Sequence, residues 1–259
     1  MIHPNMPAEE YRAAPGVSQS ALKVIGEEGG PARAKYGDPR AETQSQKFGT
    51  LIHMAVLQPY LLATCYMPTD LKRVGTKAWD EAEASAMGRT LVKRAEYDEA
   101  RRISDSLQKR SSLARELLKP SPQLGVEQAF FWTDPRTGLA CKGLADLVHT
   151  GYRVLADLKS TVDAREDAFR LSCRRWGYGI QAEWYDKGYP LAGGFVPDAF
   201  IHIVIEKTSP WLSRCYEIDR EESLAEARVE ISRMMDIWKE CERTQTWPGY
   251  DDSLQTLKL

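Results

Sequence analysis

Along the first half of the chain apolar residues recur at helical spacing, and in the second half short alternating runs take over. Ser18 reads as an N-cap that leads SQSALKVIG into a short helix ended by Gly29–Gly30. KFGTLIHMAVLQP predicts a second helix that stops at Pro59. Residues 75–119, rich in Ala, Glu, Lys and Arg, predict two or three more helices ending before Pro120. Three strand-like runs follow: LGVEQAFFWT (124–133), LACKGLADLV (139–148) and YRVLADLKST (152–161). The turns DPRTG and HTGY join them as an antiparallel meander. Helices are expected at 164–176 and 179–189, strands at 199–207 and 211–219, and a long amphipathic helix at 220–243.

That order predicts an α/β (α+β) fold with a central mixed β-sheet flanked by helices and a helical N-terminal part. Residues 1–16, Pro-rich and polar, are expected to be a flexible arm. Residues 17–250 should form a single domain, mainly helical over 17–120, with the sheet and its helices over 121–219, and 251–259 a tail.

A hydrophobic content of 42% and a charged content of 28% suit a globular protein with a sizeable core. The net charge of −2 supplies no global attraction to nucleic acid, although a local basic channel can coexist with acidic surface elsewhere. No apolar run reaches the length of a membrane span and the N-terminus lacks a signal-peptide core, so a cytoplasmic protein without membrane association is expected. The cysteines (Cys65, Cys141, Cys173, Cys215 and Cys241) are scattered without a CxxC, which argues against disulfides, structural zinc and an iron–sulfur cluster.

Candidate chemistry concentrates in residues 139–161. Asp146 and Asp157 lie on neighbouring apolar runs, and Lys159 follows the second by two residues. Strand alternation sends Asp157 and Lys159 to one face, with Leu158 on the other. Carboxylates among strand apolars are costly unless paired, hydrogen-bonded or metal-bound. Two readings stand side by side: a solvated strand face with a Lys159–Asp146 ion pair, or oxygen ligands for a hard cation with an ammonium that handles water and phosphate. His53 sits in an apolar helix, where it is either a core residue or a ligand, and Gly49 one turn earlier permits a close approach. Gln181 and Tyr185, spaced i, i+4, share a helix face.

The ordered set FGTLIH (48–53), CKGLAD (141–146), DLKST (157–161) and GYGIQAEWY (177–185), with GVSQSALK and FIHIVIEKTSP, resembles the RecE-like exonuclease branch of the PD-(D/E)XK nuclease superfamily. This branch is related to lambda exonuclease and the RecB nuclease domain. The resemblance spans residues 16 to about 250 and implies a restriction-endonuclease-like core. By it, His53, Asp146 and Asp157 hold Mg²⁺, with the Leu158 backbone carbonyl as a further ligand, and Mn²⁺ also supports activity. Lys159 assists the attacking water, Gln181 and Tyr185 match the branch's QxxxY motif beside the metal, and Glu127 is an auxiliary acid with a weaker match. Two departures stand out: the second acid is Asp157 rather than the frequent Glu, and Leu144 replaces an Arg common in relatives.

The resemblance implies a 5′→3′ exonuclease on double-stranded DNA ends, encoded by a phage or prophage in a bacterial host, that leaves 3′ overhangs for a single-strand annealing protein and works as a homo-oligomeric ring. The alternatives are an endonuclease or single-strand-specific nuclease with the same site, and a non-catalytic DNA-binding protein that kept the fold. Candidate DNA contacts are Lys142, Arg174, Arg175, Ser18 and Ser20, with Lys23, Arg170 and Lys187, and with Trp176, Tyr178 and Trp184 for stacking.

Overall fold

The structure, a computed structural model, describes residues 1–4, 6–38, 41–254 and 256. Its first half holds β1 (Ile2–His3), α1 (Ala8–Ala13), α2 (Gln19–Ile25), α3 (Gly30–Tyr36) and α4 (Gln44–Leu57). After a 3₁₀ turn at Pro59–Leu61 come α5 (Leu62–Cys65), β2 (Tyr66–Thr69), α6 (Lys77–Ala84), β3 (Thr90–Lys93), α7 (Arg94–Arg110) and α8 (Ser112–Leu117). The second half holds β4 (Leu124–Thr133), β5 (Ala140–His149), β6 (Val154–Thr161), α9 (Glu166–Trp176), α10 (Tyr178–Leu191), β7 (Ala199–Glu206), β8 (Ser213–Glu217) and α11 (Ser223–Thr244).

The central sheet runs β1-β4-β5-β6-β7-β8. β4, β5 and β6 form the predicted antiparallel meander, and β7 lies parallel to β6 because the chain crosses over through α9 and α10. Apolar side chains fill both sheet faces. One layer packs Leu22, Ile25 and Met234 from α2 and α11 against Phe130, Leu155 and Phe200. The other packs Leu51 and Ile52 of α4 and Ile103 and Leu107 of α7 against Leu158, Ile203 and Ile205. This helix–sheet–helix sandwich is the mixed α/β architecture expected. Among the described residues no single helix is long and apolar enough to cross a membrane.

Local chemistry explains the element starts. Ser18 caps α2, its side chain accepting from the Ala21 amide at 3.2 Å. Thr43 and Gln46 form a reciprocal capping box, which starts α4 three residues before the predicted Lys47. Two expectations need correction. α2 ends at Ile25 with Gly26 as its C-cap, and Gly29–Gly30 instead starts α3: Gly29 adopts φ +67°, and a Cβ on Gly30 would lie 2.2 Å from the Val24 carbonyl oxygen, so glycine is required there. The N-terminal arm is not free throughout, since Ile2 and His3 pair with Phe130 and Ala129 as an edge strand and the terminal ammonium donates to the Phe131 carbonyl at 2.7 Å. The parallel β2–β3 ribbon was not foreseen; its strands are four residues each, too short to show alternation.

Candidate active site

Both ladders of β5 break at Asp146. Toward β6 the pairing stops at Leu147↔Ala156, so the strands separate where Asp146 and Asp157 face each other. Toward β4, Val126↔Leu147 and Gln128↔Ala145 flank an unpaired Glu127, whose backbone is left-handed at φ +50°. That conformation costs a non-glycine residue about 1 kcal/mol and turns the side chain away from its regular strand direction. The gap that opens is filled by acidic groups. Asp146 Oδ2 accepts from the Leu158 amide at 2.8 Å, satisfying an N–H that the broken ladder would strand.

His53 reaches this gap from α4. Gly49, one turn earlier, faces β6, where a Cβ would make ordinary contact with Ser160 Oγ at 3.4 Å, so the approach does not depend on glycine. His53 Nδ1 stands 3.5 Å from Asp146 Oδ2. One ligand atom from each of His53, Glu127 and Asp146 falls within 4.8 Å of the others. Burial, reinforced by the Asp146 and Asp157 charges, pushes the Glu127 carboxyl up to about 8. Burial and Asp157 push Asp146 up to about 6, against the opposing pull of His53 and Lys159. Acids crowded until they retain protons form a site that a cation would relieve.

Asp157 stands beside this trio and is engaged elsewhere. Its Oδ1 accepts from Gln181 Nε2 at 2.6 Å, and Lys159 Nζ lies 2.6 Å from Oδ2. Lys159 also donates to Gln181 Oε1 at 2.9 Å and sits 4.4 Å over the Tyr178 ring. Burial alone would raise the Asp157 pKa, but Lys159 and His202 hold it well below the usual carboxylate range. Burial opposes the Lys159 charge, yet Asp157 and Asp146 raise its pKa. The strand alternation that put Asp157 and Lys159 on one face is therefore observed, and α10 supplies Gln181 as the bridge between them. Leu158 turns its side chain into the opposite apolar layer.

Other expected residues lie elsewhere. Tyr185 is buried, and its hydroxyl donates to the Leu144 carbonyl at 2.7 Å, so it braces β5 rather than facing a ligand. Lys142 is a correction: its ammonium donates to the carbonyls of Tyr11, Arg12 and Ala14 at 2.9, 3.1 and 2.6 Å, which fastens the end of α1 and leaves nothing for phosphate. Trp184 is core, its indole donating to the Lys142 carbonyl at 3.1 Å. Lys187 pairs with Asp134 at 2.8 Å and Arg170 with Glu166. Ser18 serves the α2 cap, while Ser20, Arg174 and Arg175 are exposed, Arg175 lying 5.0 Å from the Trp176 ring centroid. Lys23 donates to the Trp176 carbonyl at 2.9 Å, and burial together with Lys159 brings it down to about 8.

The sequence profile of the family described as a PDDEXK-like domain of unknown function (DUF3799) matches residues 18–259. The chain belongs to this family. Among solved structures it is similar to a protein from Eubacterium rectale named "Putative exonuclease", with a TM-score of 0.64 and 15% identity over 98% of this chain and 95% of that one. At that identity the likeness concerns the fold. No curated protein matches the chain. Within the PDDEXK-like fold, the donor set of one imidazole and carboxylate oxygens suits a divalent cation of the Mg²⁺ or Mn²⁺ type, the imidazole favouring Mn²⁺ somewhat.

Two residues of this neighbourhood escaped sequence reasoning in whole or part. His202 was missed, although a lone imidazole inside the otherwise apolar run AFIHIVIE is a legible signal. Glu127 was placed as an auxiliary acid, whereas its backbone turn brings it into the candidate cation trio.

Proposed function

We propose that the protein is a divalent-cation-dependent deoxyribonuclease that degrades linear double-stranded DNA from its ends, in the 5′→3′ direction. The observation that carries this reading is the convergence, where β5 and β6 part, of His53, Glu127, Asp146, Asp157 and Lys159 in a PDDEXK-like fold. A non-catalytic DNA-binding protein has no use for acids held at such cost. His53, Glu127 and Asp146 would hold the cation, with Asp157 and the Leu158 carbonyl as further oxygens. When bound, a cation of this kind polarises a phosphodiester and acidifies a water molecule.

The chain's own residues then have separable tasks. Lys159, a buried ammonium kept charged by two carboxylates, would orient the attacking water or hold the scissile phosphate. Gln181 would keep Lys159 and Asp157 in register through its two amide atoms. Lys23, which meets the Trp176 carbonyl, and the exposed Arg174, Arg175 and Trp176 are the basic and aromatic groups assigned to backbone contact and stacking. The name of the Eubacterium rectale structure and the resemblance to the RecE-like branch support the choice of an exonuclease. In that reading the product carries a 3′ overhang for an annealing protein, and a ring of subunits encloses the duplex.

Linear, nicked-circular and closed-circular duplexes, each with Mg²⁺ or EDTA, test the reading on one gel. Loss of linear DNA alone, abolished by EDTA and reduced at least about 100-fold by Asp157→Ala in a folded protein, is expected. Release of label from 5′-labelled ends before 3′-labelled ends is expected for the stated direction. Cutting of closed circles would replace the exonuclease with an endonuclease, and cation-independent binding without cleavage would leave a DNA-binding protein.

A further inference from the structure

His202 is the most deeply buried titratable side chain that this mechanism leaves unused. It stands on β7 directly across from Asp157 in the parallel β6–β7 register, with 0% of its surface exposed. Three rings enclose it: Phe169, Tyr178 and Phe200, with centroids 5.6, 5.4 and 5.2 Å away. Neither ring nitrogen has a hydrogen-bond partner. An apolar side chain would suit this cage better, because a buried polar group without a partner destabilises the fold. The orphaned imidazole therefore calls for a role.

Its Nδ1 points to one. It lies 3.6 Å from Asp157 Oδ2, and that oxygen is itself buried without a hydrogen bond. Lys159 approaches the same oxygen at 2.6 Å as a charge, outside hydrogen-bonding geometry, while Gln181 serves Oδ1. An unpartnered imidazole thus faces, just beyond bonding distance on the neighbouring strand, a carboxylate oxygen held by the Lys159 charge alone. Lys159 is committed to Asp157 in this state, yet the nuclease reading requires its ammonium to turn toward water or phosphate. A buried carboxylate that loses its lysine needs another donor at Oδ2, or it swings away or takes up a proton.

We propose that His202 is a positioning residue for Asp157: its Nδ1–H holds Oδ2 from the neighbouring strand when Lys159 turns to the substrate. Burial favours the neutral imidazole, which carries one donor for this purpose. The proposal rests on the nuclease reading and adds to it a residue that touches neither DNA nor cation. Partners of this kind behind metal-binding groups fix ligand orientation.

Two variants test it, His202→Phe and His202→Asn. Phenylalanine fits the aromatic cage and removes the donor; asparagine keeps an amide N–H near the Nδ1 position but leaves the cage underfilled. His202→Phe should melt at or above the wild-type temperature, yet bind Mn²⁺ about 10- to 100-fold more weakly by electron paramagnetic resonance titration. Its kcat on linear duplex should fall by a similar factor with KM unchanged. His202→Asn should melt lower and retain Mn²⁺ affinity and kcat within a few-fold of wild type. Stability and function then move in opposite directions, which a packing role does not produce. Wild-type Mn²⁺ affinity and kcat in His202→Phe would overturn the proposal, as would equal losses in both variants. A wild-type protein that neither binds Mn²⁺ nor cleaves would overturn the nuclease reading and this proposal together.

Discussion

Glu127 and Asp146 are acids that the cation-free protein keeps partly protonated, and that gives a measurable pH dependence. Their folded values, about 8 and about 6, lie above the ordinary 4.5 and 3.8. Groups raised in this way contribute stability that is complete below their unfolded values. It is lost as pH rises, through about 6 for Asp146 and about 8 for Glu127. Asp157 has the opposite sign: its carboxylate is favoured by folding, so its contribution is present above its unfolded value and lost only in acid. In EDTA the melting temperature should therefore fall between pH 6 and pH 8.5, and Glu127→Gln should flatten that fall. Excess Mn²⁺ should reverse the slope, because binding displaces the retained protons. Differential scanning fluorimetry across this range checks it; a flat wild-type profile in EDTA would contradict the raised acids. The shared face of Asp157 and Lys159 was legible at this scale because two-residue alternation is a property of any strand, although the ion pair expected with Asp146 forms with Asp157 instead. Glu127 was only half legible, because nothing in LGVEQAFF announces a left-handed turn at a non-glycine position.

Among the elements, β5 organises its surroundings, and Lys142 shows how. The residue reads as a surface cation from its type, but its strand position sends it across the end of α1, where unpaired carbonyls collect. Replacing it by Met should cost about 2 kcal/mol, the scale of hydrogen bonds to a charged group. Amide exchange should speed up over residues 1–14, and duplex affinity should hold at constant salt. A loss of DNA affinity with unchanged exchange would restore the phosphate-contact role. The same element shows what pattern reading resolves. The β4–β6 meander, α9–α10 and α11 were placed within a few residues because their periodicity runs long enough to be unambiguous. α3 and the β2–β3 ribbon were not, because seven and four residues hold too little pattern, and because the Gly29–Gly30 pair that starts α3 reads in sequence as a helix stop.

For the whole molecule, the proposed ring encloses the duplex with several copies of the chain. Light scattering on the eluting protein should give at least three times the 29.3 kDa of a single chain. A monomer at micromolar concentration would remove the ring, though not the cleavage chemistry. The near-neutral balance of −2 agrees with a locally basic path offset elsewhere, so duplex binding should still weaken steeply with salt. Sequence alone determined the order of the longer elements, the mixed α/β class and the shared face of Asp157 and Lys159, because these follow from periodicity and from neighbours two to four residues apart. Tertiary structure alone decided that β5 parts from β6 at Asp146, that Glu127 turns into the gap, that His202 stands beside Asp157, and that Lys142 and Tyr185 brace the scaffold. Those facts depend on where ladders end and which strands lie side by side, and contacts made across tens of residues leave no period in the chain.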